Sequence, residues 1–379
     1  MTSIRKRKNQ TGKDAWLCDY QDQFGKRRVR QFKTKRKAEA FLADAISDVR
    51  AGRYVHAAKS PSLESSIEEW LKNCEKRVGI GGQDNLERAT YEDYRGKVRN
   101  HLLSPIYGLG HMKVNTVSSG AVDDFRVAMI DPGVRGRSPP NATKTVAVLR
   151  AYLSWAQDRG LIANNPLLGR KYRGARREDT KLTPPSHDII RTLVDACPEE
   201  KELYLRFAVL TGLRASEQRG MRWRYTDLQA QTIEVRERVD KYQQVAPPKS
   251  SAGYRTIPIG PKLTYDLREY KMGQEASIDE LVFPGKDGSY LRHDVEMKSW
   301  FEPLRERICT PKLRWHDLRH YAISCWIEAG LNPKVVQARA GHSSIQITYD
   351  RYGHMLDKQQ GGEEMAGIES RLFVAERTT

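Results

Sequence analysis

GHSSIQITYDRYGHM, residues 341–355, sets Tyr349 and Tyr352 three apart, directly after a Gly-His pair. Just upstream, NPKVVQARA (332–340) begins with Asn332, a good N-cap, and Pro333, which suits a first helical turn. Gly341 therefore ends one helix, His342 sits in the bend, and a second helix resumes behind Ser343 or Ser344 as its cap. Two helices around a glycine bend admit three readings: an ordinary amphipathic pair, a DNA-reading helix-turn-helix, or a segment that presents a nucleophile. Ile345 and Tyr349 lie at (i, i+4), which predicts a packed ring at Tyr349. Tyr352 is followed at once by Gly353, so its place at the expected helix end predicts an exposed hydroxyl.

Composition narrows the choice. The 379 residues suffice for two or three domains. Lys and Arg total 65 against 48 Asp and Glu, a net charge of +17 that points to a polyanionic partner, usually nucleic acid. No apolar run approaches the roughly 18–20 residues of a membrane span. The first residues, MTSIRKRKNQTGKDAW, hold no apolar stretch of the signal-peptide kind. The expected location is the cytoplasm and not a membrane. Cys18, Cys74, Cys197, Cys309 and Cys325 form no Cys-x-x-Cys and no cluster of zinc spacing, so free thiols are expected. No Gly-rich phosphate loop is present. Neither a metal nor ATP nor any other cofactor is implied.

Charge also marks the organisation of the chain. Residues 1–60 carry 16 Lys and Arg against 6 Asp and Glu. Within them AWLCDYQ (15–21) and RRVRQF (27–32) alternate apolar and polar around the turn residues 22–25, the pattern of two strands. Residues 33–52 repeat Ala38, Phe41, Leu42, Ala45, Ile46 and Val49 at helical spacing, with Gly52 to end the helix. A small sheet with one helix and a strongly basic face reads as a DNA-binding module. Its candidate contacts are Arg5, Lys6, Arg7, Lys8, Lys26, Arg27, Arg28, Arg30 and Lys33, with aromatics interleaved. Lys59-Ser60-Pro61-Ser62 reads as a linker. Beyond it, Ile67, Trp70, Leu71 and Cys74 form one helical face and Val146, Leu149, Leu153 and Trp155 another, with Gly79, Gly81 and Gly82 as a break. Four or five helices around a small core are expected there. The polar, basic run 169–185 has no periodicity and reads as a second boundary. The divisions are thus 1–60, 61–172, a linker at 173–183, and 184–379. In the last, ELYLRFAVLTG reads as a buried helix, QTIEVRE, RTIPI and LVFP as short strands, and helices prevail from about His293.

Several residues of this last segment suit one chemistry. Arg214 follows the turn Thr211-Gly212, and Glu217, three residues on, can reach back to its guanidinium. PPKSSAGYRTIPI (247–259) reads as a hairpin with Lys249 at its start and Gly253 in its turn. RWHDLRHYAIS (314–324) sets His316 and Arg319 one turn apart on a face suited to an anion, with His320 rotated away. Metal-free cleavage of a phosphodiester needs a nucleophile, cationic donors on the non-bridging oxygens, and an acid for the leaving oxygen. A tyrosine, two arginines with histidines, and a lysine supply these. A phosphotyrosine ester also stores the bond energy for resealing without ATP.

In chain order, Arg214 in TGLRASE, Lys249 in PPKSSAGYRTIPI, HDLRH at 316–320, Gly341-His342, and Tyr352 in TYDRYGHM resemble the tyrosine recombinase family, and within it the phage and prophage integrases. The likeness covers about residues 180–356 by motif. It implies a mainly helical catalytic domain with a small sheet, preceded by an all-helical core-type DNA-binding domain and an arm-type module of small sheet plus helix. It implies a site-specific recombinase that cuts and rejoins DNA through a 3′-phosphotyrosine, integrating or excising a mobile element such as a prophage. In that family Arg214 and Arg319 would clamp the scissile phosphate. His316 and His342 would hydrogen-bond it, with His316 also placed to accept the tyrosine proton. Lys249 would protonate the departing 5′ oxygen, Tyr352 would be the nucleophile, and Glu217 would support Arg214. Tyr352 stands ten residues after His342, a spacing the family uses, whereas Tyr349 comes too early. Implied partners are double-stranded attachment sites, three further copies of the chain in a homotetramer, a DNA-bending protein and an excisionase-type directionality factor. The tail after Met355 would dock on a neighbouring subunit or on its own domain. A type IB topoisomerase would use a similar set of residues, but the basic N-terminal module argues against it. A non-enzymatic helix-turn-helix over 333–352 would leave Arg214, Lys249, His316 and Arg319 without a purpose.

Overall fold

A computed structural model of the chain describes residues 2–8, 14–22, 25–50, 60–79, 82, 84–107, 109–134, 136–172 and 182–356. They fall into two compact units, Met1–Glu178 and Asp179–Thr379. Gly52, Lys59, Gly81, most of the expected linker 173–183 and the tail beyond Leu356 lie outside the described residues.

The first unit opens with an antiparallel sheet of β1 (Ser3–Lys8), β2 (Asp14–Gln21) and β3 (Arg27–Phe32), with β2 in the centre. The two expected strands form, and the basic N-terminal run adds a third. Its register sets Lys6 opposite Trp16 and Trp16 opposite Phe32. Helix α1 (Lys35–Arg50) lies on the Cys18, Tyr20 and Phe32 face. The Cys18 thiol donates to the Ala38 carbonyl at 3.2 Å, and the Phe41 ring sits 5.6 Å from Tyr20 and 5.0 Å from Phe32.

Because side chains alternate along a strand, the basic residues do not share one face, as the sequence reading had it. Arg5, Arg7 and Arg27 project from the face without the helix. Lys6, Lys8, Arg28 and Arg30 project from the side of α1, where the Arg30 guanidinium lies 4.7 Å from the Phe41 ring centre. Several are also engaged within the sheet: Arg27 Nε donates to Asp19 at 2.9 Å, and Arg28 and Lys6 pair with Asp22 and Asp14 at 2.7 Å each.

The helical part of this unit comprises α2 (Leu63–Lys76), α3 (Arg88–Lys97) running into a wide turn at Val98–Leu102, α4 (Ser119–Ile130) and α5 (Pro139–Asp158). Ser62 Oγ caps α2 by accepting from the Ser65 amide. The apolar spacing then buries Leu63, Ile67, Trp70, Leu71 and Cys74, as expected, against Val146, Leu149, Tyr152 and Leu153 of α5. Trp155 is only partly covered. The Trp70 ring stacks on Tyr94 at 5.2 Å and meets Tyr152 edge-on at 5.9 Å.

The second unit is mainly helical. It contains α6 (His187–Asp195), α7 (Glu199–Thr211), α8 (Ala215–Arg219), α9 (Pro261–Gln274), α10 (His293–Glu296), α11 (Glu302–Arg307), α12 (Trp315–Glu328), α13 (Pro333–Ala340) and α14 (Ile345–Leu356). Strands β4 (Thr226–Asp227), β5 (Thr232–Val235) and β8 (Arg255–Pro258) form one antiparallel sheet, and β6 (Arg238–Val239) pairs with β7 (Val245–Ala246) in another. Ile233, Val235 and Ile257 pack with Leu205, Phe207, Trp223, Phe301 and Trp315 in the main core. A smaller core of Ile323, Ile327, Val336, Ala340 and Tyr352 joins α12, α13 and α14.

Two expectations fail here. LVFP forms no strand; Leu281 and Pro284 make single bridges to Arg222 and Tyr290. Nor does Lys249 start a hairpin. The partner of β8 is β5, that of β7 is β6, and residues 247–254 cross between the two sheets through a single turn at Ser251–Gly253. Local turn residues cannot reveal that a strand pairs with a segment twenty residues earlier. Among the described residues no helix is long and apolar enough to cross a membrane.

Candidate active site

Helix α7 ends in Gly212, whose left-handed backbone (φ +60°) turns the chain toward Arg214. A side chain there would also stand 3.1 Å from Ala322 and Trp326 of α12. Arg214 N-caps α8, and Glu217 closes back on it: Oε2 accepts the Arg214 amide at 2.9 Å and Oε1 its Nη1 at 2.7 Å. The expected pairing forms. Glu217 is buried and has a second partner absent from the sequence reading, Arg255 of β8, whose Nη2 and Nη1 donate to it at 2.7 and 3.1 Å. Burial alone would raise the Glu217 carboxyl, but the Arg255, Arg214 and Arg319 guanidinia overcome it and hold it down at about 2.

Arg319 is buried at the centre of the unit. Its Nη1 donates to Gly212 O at 2.7 Å and its Nη2 to Ala340 O, so one guanidinium of α12 satisfies carbonyls at the C-terminal ends of α7 and α13. Arg214 Nη2 reaches the next carbonyl, Gly341 O, at 2.9 Å. This crossing depends on glycine: Gly341 has φ +64°, and a Cβ on it would stand 2.9 Å from Arg255 Nη1 and 3.0 Å from Ala252 O. The bend between α13 and α14 is thereby drawn onto two cations. Asn332 caps α13 as expected, accepting from the Lys334 amide at 2.8 Å.

A polar recess of about 280 Å³ opens here, lined by Arg214, Arg319, His316, His342, Ser250 and Arg351, among others. Four of the residues singled out from the sequence, on segments up to 128 residues apart, thus meet around one small space. Lys249 is exposed beside it, while its neighbour Ser250 supplies the lining. Arg351 went unremarked in the sequence, and no local signal there finds it; the packing of α14 brings it to the recess beside Ile347.

The tyrosines reverse the expectation. Tyr352 is fully buried and Tyr349 is 47% exposed. Helix α14 continues through Gly353 to Leu356, so Tyr352 is not at its end. The inward seam is Thr348 and Tyr352, not Ile345 and Tyr349. The Tyr352 ring lies parallel to that of His342 at 6.5 Å, and His342 Nδ1 bonds the Thr348 hydroxyl at 2.9 Å. Nor is His320 rotated away: it is buried, and its Nδ1 lies 2.5 Å from Tyr352 Oη. At about 100° per residue, positions 316 and 320 differ by only about 40° around a helix, and the two rings meet edge-on at 4.7 Å.

The electrostatics of the recess favour a negative charge. Burial, then Arg319 and Arg214, push His342 down to about 3; burial, then His316, push His320 down to about 4. His316 opens to the recess, yet desolvation of its inner side and the Arg319 and Arg351 charges also lower it to about 4. Burial raises Tyr352 to about 12 against the pull of Arg319 and Arg351. In the unfolded chain the histidines titrate near 6.5. As pH falls from about 6.5 toward 4, the unfolded chain therefore takes up protons that the folded unit refuses, and stability drops. Below about 4.5 the unfolded form of Glu217 also binds a proton that the folded form rejects until about 2. We expect the melting temperature to fall steadily from pH 7 to pH 4, with a loss of about a few kcal/mol in stability that comes mainly from the buried His320 and His342, since solvent screens the exposed His316; thermal melts that stay flat over that window would contradict the burial of His320 and His342.

Among the described residues one group could hold a metal ion, His187, Cys325 and Glu328. Both His187 nitrogens are already engaged: Nδ1 bonds Tyr321 Oη at 2.7 Å and Nε2 bonds Glu328 at 3.0 Å. The group lies between the start of α6 and the later turns of α12, not at the recess.

Residues 186–359 match the model of the phage integrase family. A tyrosine recombinase XerC-like protein of Caldanaerobacter subterraneus subsp. tengcongensis is 26% identical, over 89% of this chain and 91% of its own. The Tn1549 transposon integrase, solved in complex with transposon right end DNA, superposes with a TM-score of 0.61 at 17% identity, over 80% of this chain and 99% of its own. Lambda integrase, solved as a tetramer bound to a Holliday junction, gives a TM-score of 0.54 at 18% identity, over 89% and 95%. The structural likeness is one of fold.

Proposed function

Since the chain belongs to the phage integrase family of tyrosine recombinases, enzymes of site-specific DNA strand transfer, we propose that the recess between α12 and the α13–α14 bend receives the scissile phosphate. The observation that carries this is the convergence of Arg214, Arg319, His316 and His342 on one small polar space with a buried tyrosine at its back. Arg214 and Arg319 clamp the non-bridging oxygens, which gain charge in the transition state, and His316 and His342 hydrogen-bond them. Two guanidiniums held by helix-end carbonyls and by Glu217 are preorganised for this and need little rearrangement when the phosphate arrives. Tyr352 is the nucleophile. Its hydroxyl is covered in this structure, so cleavage requires an opening that exposes it to the recess while it stays within reach of His320.

The helical domain and the basic sheet module are proposed as core-type and arm-type DNA-binding domains, with Arg5, Arg7 and Arg27 on the helix-free face as the first contacts to test. By likeness to the lambda integrase assembly, four copies act on two duplexes, with accessory bending and directionality proteins. Incubated with nicked duplexes that carry the joined ends of the DNA element encoding it, the protein should yield a covalent adduct that survives denaturation and is removed by protease. Tight binding to those duplexes without any adduct would refute the proposal.

Lys249, exposed on the crossing between the two sheets, is proposed as the acid for the departing 5′ oxygen. Lys249→Ala should slow cleavage by about 10²–10³-fold. A substrate with sulfur in place of that oxygen leaves without protonation and should restore the rate. A defect equally large on both substrates would remove Lys249 from this role.

A further inference from the structure

We infer that His320, rather than His316, is the group that takes the proton of the Tyr352 hydroxyl as the phosphodiester is cut and returns it on resealing. The inference deepens the proposed function and rests on Tyr352 as its nucleophile.

Geometry comes first. A general base must lie within hydrogen-bond reach of the proton it removes, and His320 Nδ1 stands 2.5 Å from Tyr352 Oη. The His316 ring touches His320 and lines the recess, which places it to serve the phosphate. Both partners of the 2.5 Å contact are buried, at 5% and 0% exposure, so water does not compete for the proton. The other groups facing His320 are His316, Asp317 and Arg319 of its own helix and Arg351 of α14. Burial first, then His316, keeps the imidazole neutral near pH 7, the form that can accept. The Nε2–H tautomer leaves Nδ1 open to the phenol. An entering phosphodiester brings a negative charge toward His316, Arg319 and Arg351, which favours the imidazolium once it forms.

The step balances. The Tyr352 O–H bond breaks as an N–H bond forms at His320 Nδ1. The phenolate oxygen bonds to phosphorus, and the P–O5′ bond breaks with its electron pair on the 5′ oxygen, which takes a proton from the acid. Resealing reverses each transfer, and the His320 imidazolium then protonates the departing tyrosine.

The test compares single-turnover cleavage of the nicked duplexes described above, across pH, by wild type, His320→Ala, His320→Asn and Tyr352→Phe. Asparagine places an amide near the position of Nδ1 and can keep the hydrogen bond, but it cannot accept a proton. Both His320 variants should cleave about 10²–10³-fold more slowly at pH 7. Their rates should climb in proportion to hydroxide, while the wild type reaches a plateau. An Asn variant with the wild-type rate and profile would reduce His320 to a positioning residue and overturn the inference. An Ala variant that cleaves as fast as wild type, or faster, would make the contact a latch and overturn it equally. Adduct formation by Tyr352→Phe would instead refute the nucleophile, and with it the proposed function. A DNA-free measurement stands beside these: nitrogen NMR of the His320 ring should show Nδ1 unprotonated at pH 7, and an Nδ1–H signal would overturn the inference.

Discussion

Tyr352→Phe should abolish the covalent protein–DNA adduct, and Tyr349→Phe should leave it intact. This is the largest effect expected of a single substitution here: a loss of at least about four orders of magnitude in cleavage, as befits removal of a nucleophile. The change is clean because Phe retains the buried ring. The contacts of that ring with Ile323, Ile327, Val336 and Ala340, and its stacking on His342, survive. Only the hydroxyl and its bond to His320 are lost, at a cost of about 1–3 kcal/mol for the imidazole left without its partner. A melting temperature within a few degrees of wild type, together with full DNA binding and no adduct, is the expected combination. Tyr349, on the outer side of α14, should be replaceable with neither stability nor cleavage changed. An adduct lost in Tyr349→Phe and kept in Tyr352→Phe would mean that α14 turns by about 60° on binding DNA, and the assignment would fall.

Glu217→Ala should produce the largest loss of stability. The carboxylate is 3% exposed and holds Arg255, whose side chain is 4% exposed, in a two-pronged ion pair. Truncating the acid leaves a buried guanidinium without its counter-charge, which costs about 3–5 kcal/mol. For a unit of this size that is a fall of roughly 10 °C in melting temperature. The exposed pair Glu234–Arg236 is the natural control, since a pair of 41% and 48% exposure contributes under about 1 kcal/mol. Replacing both buried partners, Glu217→Leu with Arg255→Met, should recover much of the stability because no charge is stranded. Cleavage should remain low in that double variant, because Arg214 has lost the carboxylate that orients it. Should Glu217→Ala melt no lower than Glu234→Ala, the network is not what holds the recess together.

These two residues mark how far local sequence reaches. The Glu217–Arg214 pair spans one helical turn, and its spacing alone predicts it. The Glu217–Arg255 pair joins α8 to β8, 38 residues apart, and nothing in either segment announces the other. The same division separates the caps from the strand pairings. Asn332 and Gly341 bound α13 through their own backbone chemistry, whereas β8 lies beside β5 because a distant segment offers the matching edge. The apolar spacing of α2 and α5 likewise foretold which residues are buried, since one face of each helix must leave water.

The sequence by itself pointed to the proposed chemistry. Arg214, Lys249, His316, Arg319, His342 and Tyr352 are picked out by residue type, order and local context, through their resemblance to the tyrosine recombinases. It determined most helices and four of the strands, because caps and periodicity act within a few residues. Which tyrosine is buried, that His320 and not His316 meets its hydroxyl, and that Arg351 and Arg255 belong to the site were decided by tertiary structure alone. The Arg255 contact depends on where β8 pairs, and the others on the rotation of one helix against another. A turn of about 100° per residue exchanges Tyr349 for Tyr352 within three positions, and only the packing of α14 on α12 and α13 selects between them.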